Sequence, residues 1–371
     1  MTKKISKLHR VAVPGVAALA LLMSACGASN EDGGSDDSTT AAASGLSGDL
    51  NGGGATSQEK AQDAWKTAVQ GANNGDLTIN YALLGSTDGR SQFISGALSF
   101  AGSDSYLKDE EVAAAKKRCN DGNVVEVPAY ISPIAVAFNL PGVDELNLSA
   151  DTIAKIFDGK ITTWDDPAIK SDNADADLPD LKISPVHRSD DSGTTKNFTD
   201  YLNKVAPDAW KYEAADAFPV SGGLSAEGTS GVVKQIGDTK GAIGYADASQ
   251  TGDLSAVAVK VGDTFVAPSP EGASKTVEVS PTVQGRDATD IAVDVDRTTT
   301  EAGAYPVILL SYLIACESYT DQTEAANVKG YLEYIVSDEG QAEAADNAGS
   351  AKLAESTAKK AQDIVAGISA K

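Results

Sequence analysis

The chain has 371 residues, 42% of them hydrophobic, and carries 53 acidic side chains against 30 basic ones. That length and apolar content suffice for one large or two medium domains with real cores. The acid excess excludes nucleic acid and anionic lipid surfaces as partners.

In chain order, residues 1–25 read as a leader. Lys3, Lys4, Lys7 and Arg10 precede the apolar run "VAVPGVAALALLM", which is too short to span a bilayer, and "SAC" supplies small residues before Cys26. Small residues and a cysteine after such a run resemble the bacterial lipoprotein signal, in which Cys26 receives a lipid such as palmitate. Met23 stands where that pattern prefers leucine. Residues 26–47 are Gly, Ser, Thr, Ala and acid with almost nothing to bury, so they read as a tether. Four of the 30 basic residues leave with the leader, so the processed chain has 26 basic against 53 acidic side chains, a net charge of −27. No later segment is long and apolar enough to cross a membrane.

Thr56 and Glu59 have capping-box spacing, and Ala61, Ala64, Trp65, Ala68 and Val69 fall on one helical face. "LTINYALL" alternates as a strand does, and Gly85–Gly89 turns it into a short helix through Phe93. "ALSFAGSD" is a further strand ending at Asp104, and "VVEVPAYISPIAVAFNL" an apolar strand that crosses between two domains. "SADTIAKIFDG" is a helix capped by Ser149 and stopped at Gly159. Strand-like "LKISPV" leads into "HRSDDSGTTKNF". There a helix starts near Ser192–Thr194, since Phe198, Tyr201, Leu202 and Val205 follow at helical spacing. "TSGVVKQI" and "GAIGYAD" give another helix and strand, residues 250–300 lean toward strand with Gly and Pro turns, and "YPVILLSYLIAC" with an alanine-rich stretch closes the chain. Strands alternating with helices indicate an α/β fold.

The two cysteines besides Cys26, Cys119 and Cys316, are expected to pair in an exported chain. Without neighbouring histidines they make no zinc site, and no metal or cofactor is expected. Beyond the leader His187 is the only histidine.

Three helices begin in small polar runs: 53–57, 85–89 and 191–195. Helix N-termini present unpaired N–H groups and the positive end of the peptide dipoles, glycine admits a ligand closely, and Ser or Thr adds a hydroxyl. Ser, Thr and Asp are also simply good caps, so no single run is specific. Together, with Arg188 beside one of them, they point to a small oxyanion. An enzyme reading finds no G-x-S-x-G elbow and no ordered Asp/His metal set, and no catalytic residue is assigned. An adhesin or structural lipoprotein would account for the anchor but not for the repeated helix starts.

"GSTDGRSQFISGALSFAGSD", "FDGKITTWDDPAI", "HRSDDSGTTKNFTDYL" and "TSGVVKQIGDTKGAIGYAD" resemble, in order and spacing, segments of the phosphate-binding proteins of bacterial ABC-type phosphate importers, from about residue 50 to the C-terminus. The resemblance implies a two-domain, type II periplasmic-binding-protein-like fold with inorganic phosphate in the interdomain cleft. Domain I would combine 48–131 with 305–371, and domain II would span 132–304. By position it implies Thr56 and the Ser57 N–H, Ser86, Asp104, Arg188, Asp190, Ser192, Gly193 and Thr194 as phosphate ligands. Many relatives carry an aromatic residue where this chain has Ser57. The implied protein is a monomer, lipid-anchored on the extracytoplasmic face, that closes around phosphate and docks on the permease subunits of the importer. Asp104 is the expected specificity residue, because an ionised carboxylate accepts from a P–OH that sulfate lacks. A binder of sulfate or another oxyanion, and less so a phosphate-related surface enzyme, are the alternatives.

Overall fold

The computed structural model describes residues 45–371. The leader over 1–25, the lipidation site Cys26 and the tether as far as residue 44 lie outside the described residues. The last residues assigned to the tether belong to the body instead. Leu46 is buried, its N–H donates to Asn73 Oδ1 at 2.7 Å, and the Ser47 carbonyl accepts from Asn327 Nδ2 at 2.8 Å. A leucine at the end of a polar run gains by entering a core, so Leu46 and Ser47 belong with the body.

β1 (Gly48–Gly54) leads through a 3-10 turn at Thr56–Gln58 into α1 (Glu59–Ala72), followed by β2 (Leu77–Leu83), α2 (Ser86–Ser95), β3 (Phe100–Ser103) and α3 (Asp109–Arg118). Next come β4 (Val124–Asn139), β5 (Leu146–Leu148), α4 (Ala150–Phe157), α5 (Pro167–Asp172), β6 (Ser184–Arg188) and α6 (Gly193–Val205). β7 (Leu224–Ala226), α7 (Gly228–Asp238), β8 (Ala242–Asp247), β9 (Ser255–Val261), β10 (Thr264–Val266) and α8 (Pro270–Glu278) continue the alternation. The chain ends with β11 (Ile308–Cys316), α9 (Gln322–Val336), α10 (Asp338–Ala348) and α11 (Glu355–Ala366).

Local chemistry explains most of these boundaries. Ser149 caps α4 by accepting the Thr152 N–H, and Ser192 caps α6 by accepting from Thr194 and Thr195, as the sequence leads one to expect. α1 buries Ala61, Trp65 and Val69 on one face, and the Trp65 indole N–H donates to the Gly340 carbonyl at 2.7 Å. Two expectations fail. The Thr56–Glu59 capping box does not form: no side chain caps α1, and the Thr56 hydroxyl pairs with that of Thr229 at 3.0 Å. The 250–300 region also contains a helix, α8. There Ser269 accepts the Gly272 N–H and Pro270 sits in the first turn, where its fixed φ and missing N–H do no harm.

Eleven strands form one sheet whose main path is β2-β1-β3-β11-β4-β8-β6-β7, with β9 beside β4, β5 and β10. β4 joins its two halves. Residues from Val124 to Pro133 pair antiparallel with β11, and residues from Ile134 to Asn139 pair antiparallel with β8. All but the last residue of β4 are buried, which is why the segment reads as an unbroken apolar run rather than an alternating one. The β4–β11 register slips between Ser311 and Tyr312, which face Tyr130 and Pro128 respectively. Such a bulge bends the strand and re-aims a side chain. Cys119, at the end of α3, and Cys316, at the end of β11, form a disulfide across 197 residues. Among the described residues no helix is long and apolar enough to cross a membrane.

Candidate oxyanion site

Asp104, just past the end of β3, is the centre toward which the helix starts converge. Its side chain is buried. Oδ1 accepts from the Ser57 hydroxyl at 2.6 Å and from the Ser311 hydroxyl at 2.7 Å, and Oδ2 accepts from Thr194 Oγ1 at 3.1 Å. Its own N–H donates to Ser86 Oγ at 3.1 Å. Burial raises the Asp104 carboxyl above its ordinary value, while hydrogen bonds from Ser57, Ser311 and Thr194 and the charge of Arg188 oppose the rise.

The second element of the site is the β6–α6 turn. Arg188 ends β6 with its side chain buried, and its Nε donates to Asp190 Oδ1 at 2.7 Å while Nη2 donates to Asp190 Oδ2. This two-point pairing fixes the plane of the guanidinium. Asp190 Oδ1 also accepts the Gly228 N–H at 3.1 Å. Burial pushes the Asp190 carboxyl upward, but the hydrogen bonds and charge of Arg188 outweigh it and hold the group below its usual range. The Arg188 N–H donates to the Tyr245 hydroxyl at 3.3 Å, tying the strand end to β8. Arg188 Nη1 has no hydrogen-bond partner among the described residues, so part of the one cation in the set remains available.

The turns meet closely because they carry glycine. A β-carbon on Gly193 would lie 2.6 Å from Ser86 Oγ and 2.7 Å from the Asp104 β-carbon, so only glycine lets α6 begin against the 86 and 104 loops. Gly85 has φ 84°, and a β-carbon there would come within 3.0 Å of the Asp191 carbonyl. Ser57, Ser86, Asp104, Gly193 and Thr194 are thus in one place, with Arg188 and Asp190 against Gly85. Two of the expected ligands are differently engaged. Thr56 is tied to Thr229 at the margin, and the Ser192 oxygen caps α6, leaving only its hydroxyl proton to offer. His187 points away and stacks on Phe218 with ring centres 4.4 Å apart.

Sequence reasoning missed Ser311 and Thr229. Ser311 accepts from Gln58 Nε2 at 2.6 Å and donates its own hydroxyl hydrogen bond to Asp104. Its signal was a lone serine in the otherwise apolar and aromatic "VILLSYLIAC". Thr229 opens α7, a fourth helix start in a small polar run. Chemically, the arrangement offers hydroxyls, helix N-terminal N–H groups and one guanidinium to an oxyanion, and one buried carboxylate able to accept its proton. Among the described residues no group of three His, Cys, Asp or Glu side chains could hold a metal ion.

Comparison with known proteins bears on this geometry. Residues 39–339 match the PBP superfamily domain. The phosphate-binding protein PstS 3 of Mycobacterium tuberculosis is 35% identical over 355 residues, covering 92% of this chain and 94% of that one. The phosphate-binding protein PstS of Xylella fastidiosa is 30% identical over 293 residues, 77% of this chain and 76% of its own. Among solved structures, a high-affinity periplasmic phosphate-binding protein (PfluDING) bound with phosphate aligns with a TM-score of 0.71 at 23% identity, covering 85% of this chain and 93% of that one.

Proposed function

The chain belongs to the PBP superfamily, among its phosphate-binding proteins, and from that premise we propose that it binds inorganic phosphate outside the cytoplasm and delivers it to an ABC-type importer. The observation that carries the reading is Asp104, a buried carboxylate surrounded by hydroxyls from three separate segments. Phosphate near neutral pH keeps at least one P–OH and can donate to Asp104, whereas sulfate can only oppose lone pairs to it. Arg188, oriented by Asp190, supplies the single full positive charge. The Ser86 and Ser192 hydroxyls and the Ser57 and Gly193 N–H groups supply neutral donors, Thr194 joins them only by turning its hydroxyl from Asp104 to the anion, and Thr56 lies at the margin.

Neutral donors act at contact distance, so an acidic protein can hold an anion without being positive overall. These residues bind and release; none is assigned a nucleophilic or proton-transfer role. In this reading the halves of the sheet on either side of the β4 crossover act as two domains, 48–131 with 305–371 and 132–304. They close on phosphate by bending near β4 and β11. Cys26 carries the lipid, so the body acts as a monomer tethered to the extracytoplasmic face of the membrane beside its permease.

The test is calorimetric titration of the purified protein, stripped of carried-over phosphate, with phosphate and separately with sulfate at neutral pH. One-to-one phosphate binding without a sulfate response is expected. A sulfate response equal to that of phosphate would move the assignment to a general oxyanion binder, and no response to either anion would return the helix starts to being caps.

A further inference from the structure

A net charge of −27 on the processed chain repels any approaching anion, and the donors around Asp104 act only at contact. A cavity of about 100 Å³ adjoins the site; Asp104, Tyr106, Lys196, Lys204 and Arg297 line it together with the carboxylates of Asp200 and Asp294. Its cations are not equivalent. Lys204 lies 3.1 Å from Asp294 and 3.6 Å from Asp200. Arg297 pairs with Asp200 at 3.1 Å and donates its remaining N–H groups to the Pro306 and Ile308 carbonyls and to Asn197. Lys196, among the described residues, has neither a carboxylate within 4.0 Å nor a hydrogen bond for its ammonium. Its Nζ stands 5.8 Å from the centre of the Tyr106 ring.

The placement of Lys196 is unusual in two further respects. It is the fourth residue of α6, close to the helix N-terminus, where the peptide dipoles disfavour a cation. It is also half-buried beside other cations. The carboxylate that influences it most, Asp216, is already shared by Arg90 at 3.6 Å and Lys108 at 4.0 Å. Burial lowers the Lys196 pKa; Asp216 and, less strongly, Glu111 oppose that shift, and Arg90 and Lys108 add to it. A lysine serving only the fold would be expected to find a partner or reach for solvent. This one has no carboxylate partner and stands over the Tyr106 ring, on the wall of a cavity that Asp104 also lines.

Resting on the phosphate reading above, we infer that Lys196 is the electrostatic guide of this site: an uncommitted cation that draws phosphate through the cavity toward Asp104, Thr194 and Arg188 without being a ligand in the bound state. A guide of this kind acts on the association rate and leaves dissociation alone. One charge acting on a divalent anion from about 10 Å changes the rate by about threefold at low ionic strength. Reversing the charge therefore changes it by about tenfold.

The experiment is stopped-flow mixing of the phosphate-stripped full-length protein, solubilised in detergent, with inorganic phosphate, read by tryptophan fluorescence at low and at high salt. Lys196→Gln is expected to slow association about threefold and Lys196→Glu about tenfold, with dissociation unchanged and the differences collapsing at high salt. Lys196→Arg restores the wild-type rate, and Lys359→Gln, which removes an exposed lysine of α11 that does not line the cavity, leaves it alone. Unchanged association in both Lys196→Gln and Lys196→Glu overturns the inference, as does a loss of affinity carried by faster dissociation, which would make Lys196 a direct ligand. If the wild-type protein binds no phosphate, the functional reading itself fails and the guide falls with it. Wild-type binding with insensitive variants removes the guide alone.

Discussion

Replacing Asp104 by Asn separates the role of the charge from that of the shape. The Asn carbonyl can keep the Oδ1 contacts with Ser57 and Ser311, which are 2.6 and 2.7 Å long, while its amide takes the place of Oδ2 and Thr194 must turn to accept from it. The loop is therefore retained and what disappears is a buried negative acceptor. A hydrogen bond from P–OH to an ionised carboxylate contributes about 1.5–3 kcal/mol, so phosphate affinity should fall about 10- to 150-fold. Sulfate, no longer facing a buried like charge, should gain affinity, and the ratio of the two should collapse from both ends. Calorimetric titration of stripped protein with each anion at pH 7 measures this directly. The wild-type protein has a second signature: its Asp104 pKa lies above 3.8 because of burial. Acidification toward that raised value converts the carboxylate to a donor, and sulfate binding should rise as pH falls. Asp104→Asn should lack this pH dependence. A variant that keeps the wild-type phosphate-to-sulfate ratio would refute the assignment of Asp104 as the discriminating group.

Gly193→Ala places a β-carbon 2.6 Å from Ser86 Oγ. Overpacking of this kind typically costs about 1–3 kcal/mol, so phosphate affinity should drop about five- to 150-fold while the melting temperature without phosphate barely moves; the reverse pattern would contradict closure of the turns on the ligand. The Cys119–Cys316 bridge closes a loop across 197 residues. By chain entropy its removal in the Cys119→Ser, Cys316→Ser double variant should cost about 5 kcal/mol, which denaturant melts with and without reductant can check; a loss below about 1 kcal/mol would show that the unfolded chain is not constrained by it. Asp247, whose carboxyl accepts from Tyr130 and Ser249, is pushed by burial from 3.8 up to about 6. The fold thus favours the protonated form, whose stabilisation is complete below 3.8 and is lost as pH rises through about 6. The stability difference between wild type and Asp247→Asn should shift toward the variant by about 2 kcal/mol between pH 4.5 and 7.5, and a flat difference would exclude the buried carboxylate as its cause.

What could be read from the sequence was written in a few adjacent residues. Ser149 with Gly159, and Ser192 with the spacing after it, announce helices because capping and stopping need only local atoms. The α8 start, Ser269-Pro270-Glu271, carried the same kind of signal but was outweighed by strand-forming Val and Thr around it. Thr56 failed for another reason: its hydroxyl had two possible partners, and the one chosen, Thr229, lies 173 residues away. The site was legible as a set of turns. The cradle of Asp104 was not, since its three hydroxyl donors come from 47, 90 and 207 positions away. Ser311 in particular is aimed by a register slip between β4 and β11, which no local spacing encodes.

The same division of labour accounts for an acidic protein with an anion site. Affinity and selectivity rest on groups whose influence ends within a hydrogen-bond length, and these are fixed by tertiary contacts: Ser57 and Ser311 on Asp104, and Asp190 on Arg188. The long-range field follows the composition, and its net effect on an anion is repulsive at a formal net charge of −23. Salt screens that field over about 8–10 Å, so on the inference drawn above a single lysine without a carboxylate partner governs the last approach even though it barely alters the total. Surface charge can therefore drift with the demands of solubility while the binding site stays unchanged, provided that Lys196 keeps its ammonium free of carboxylate partners.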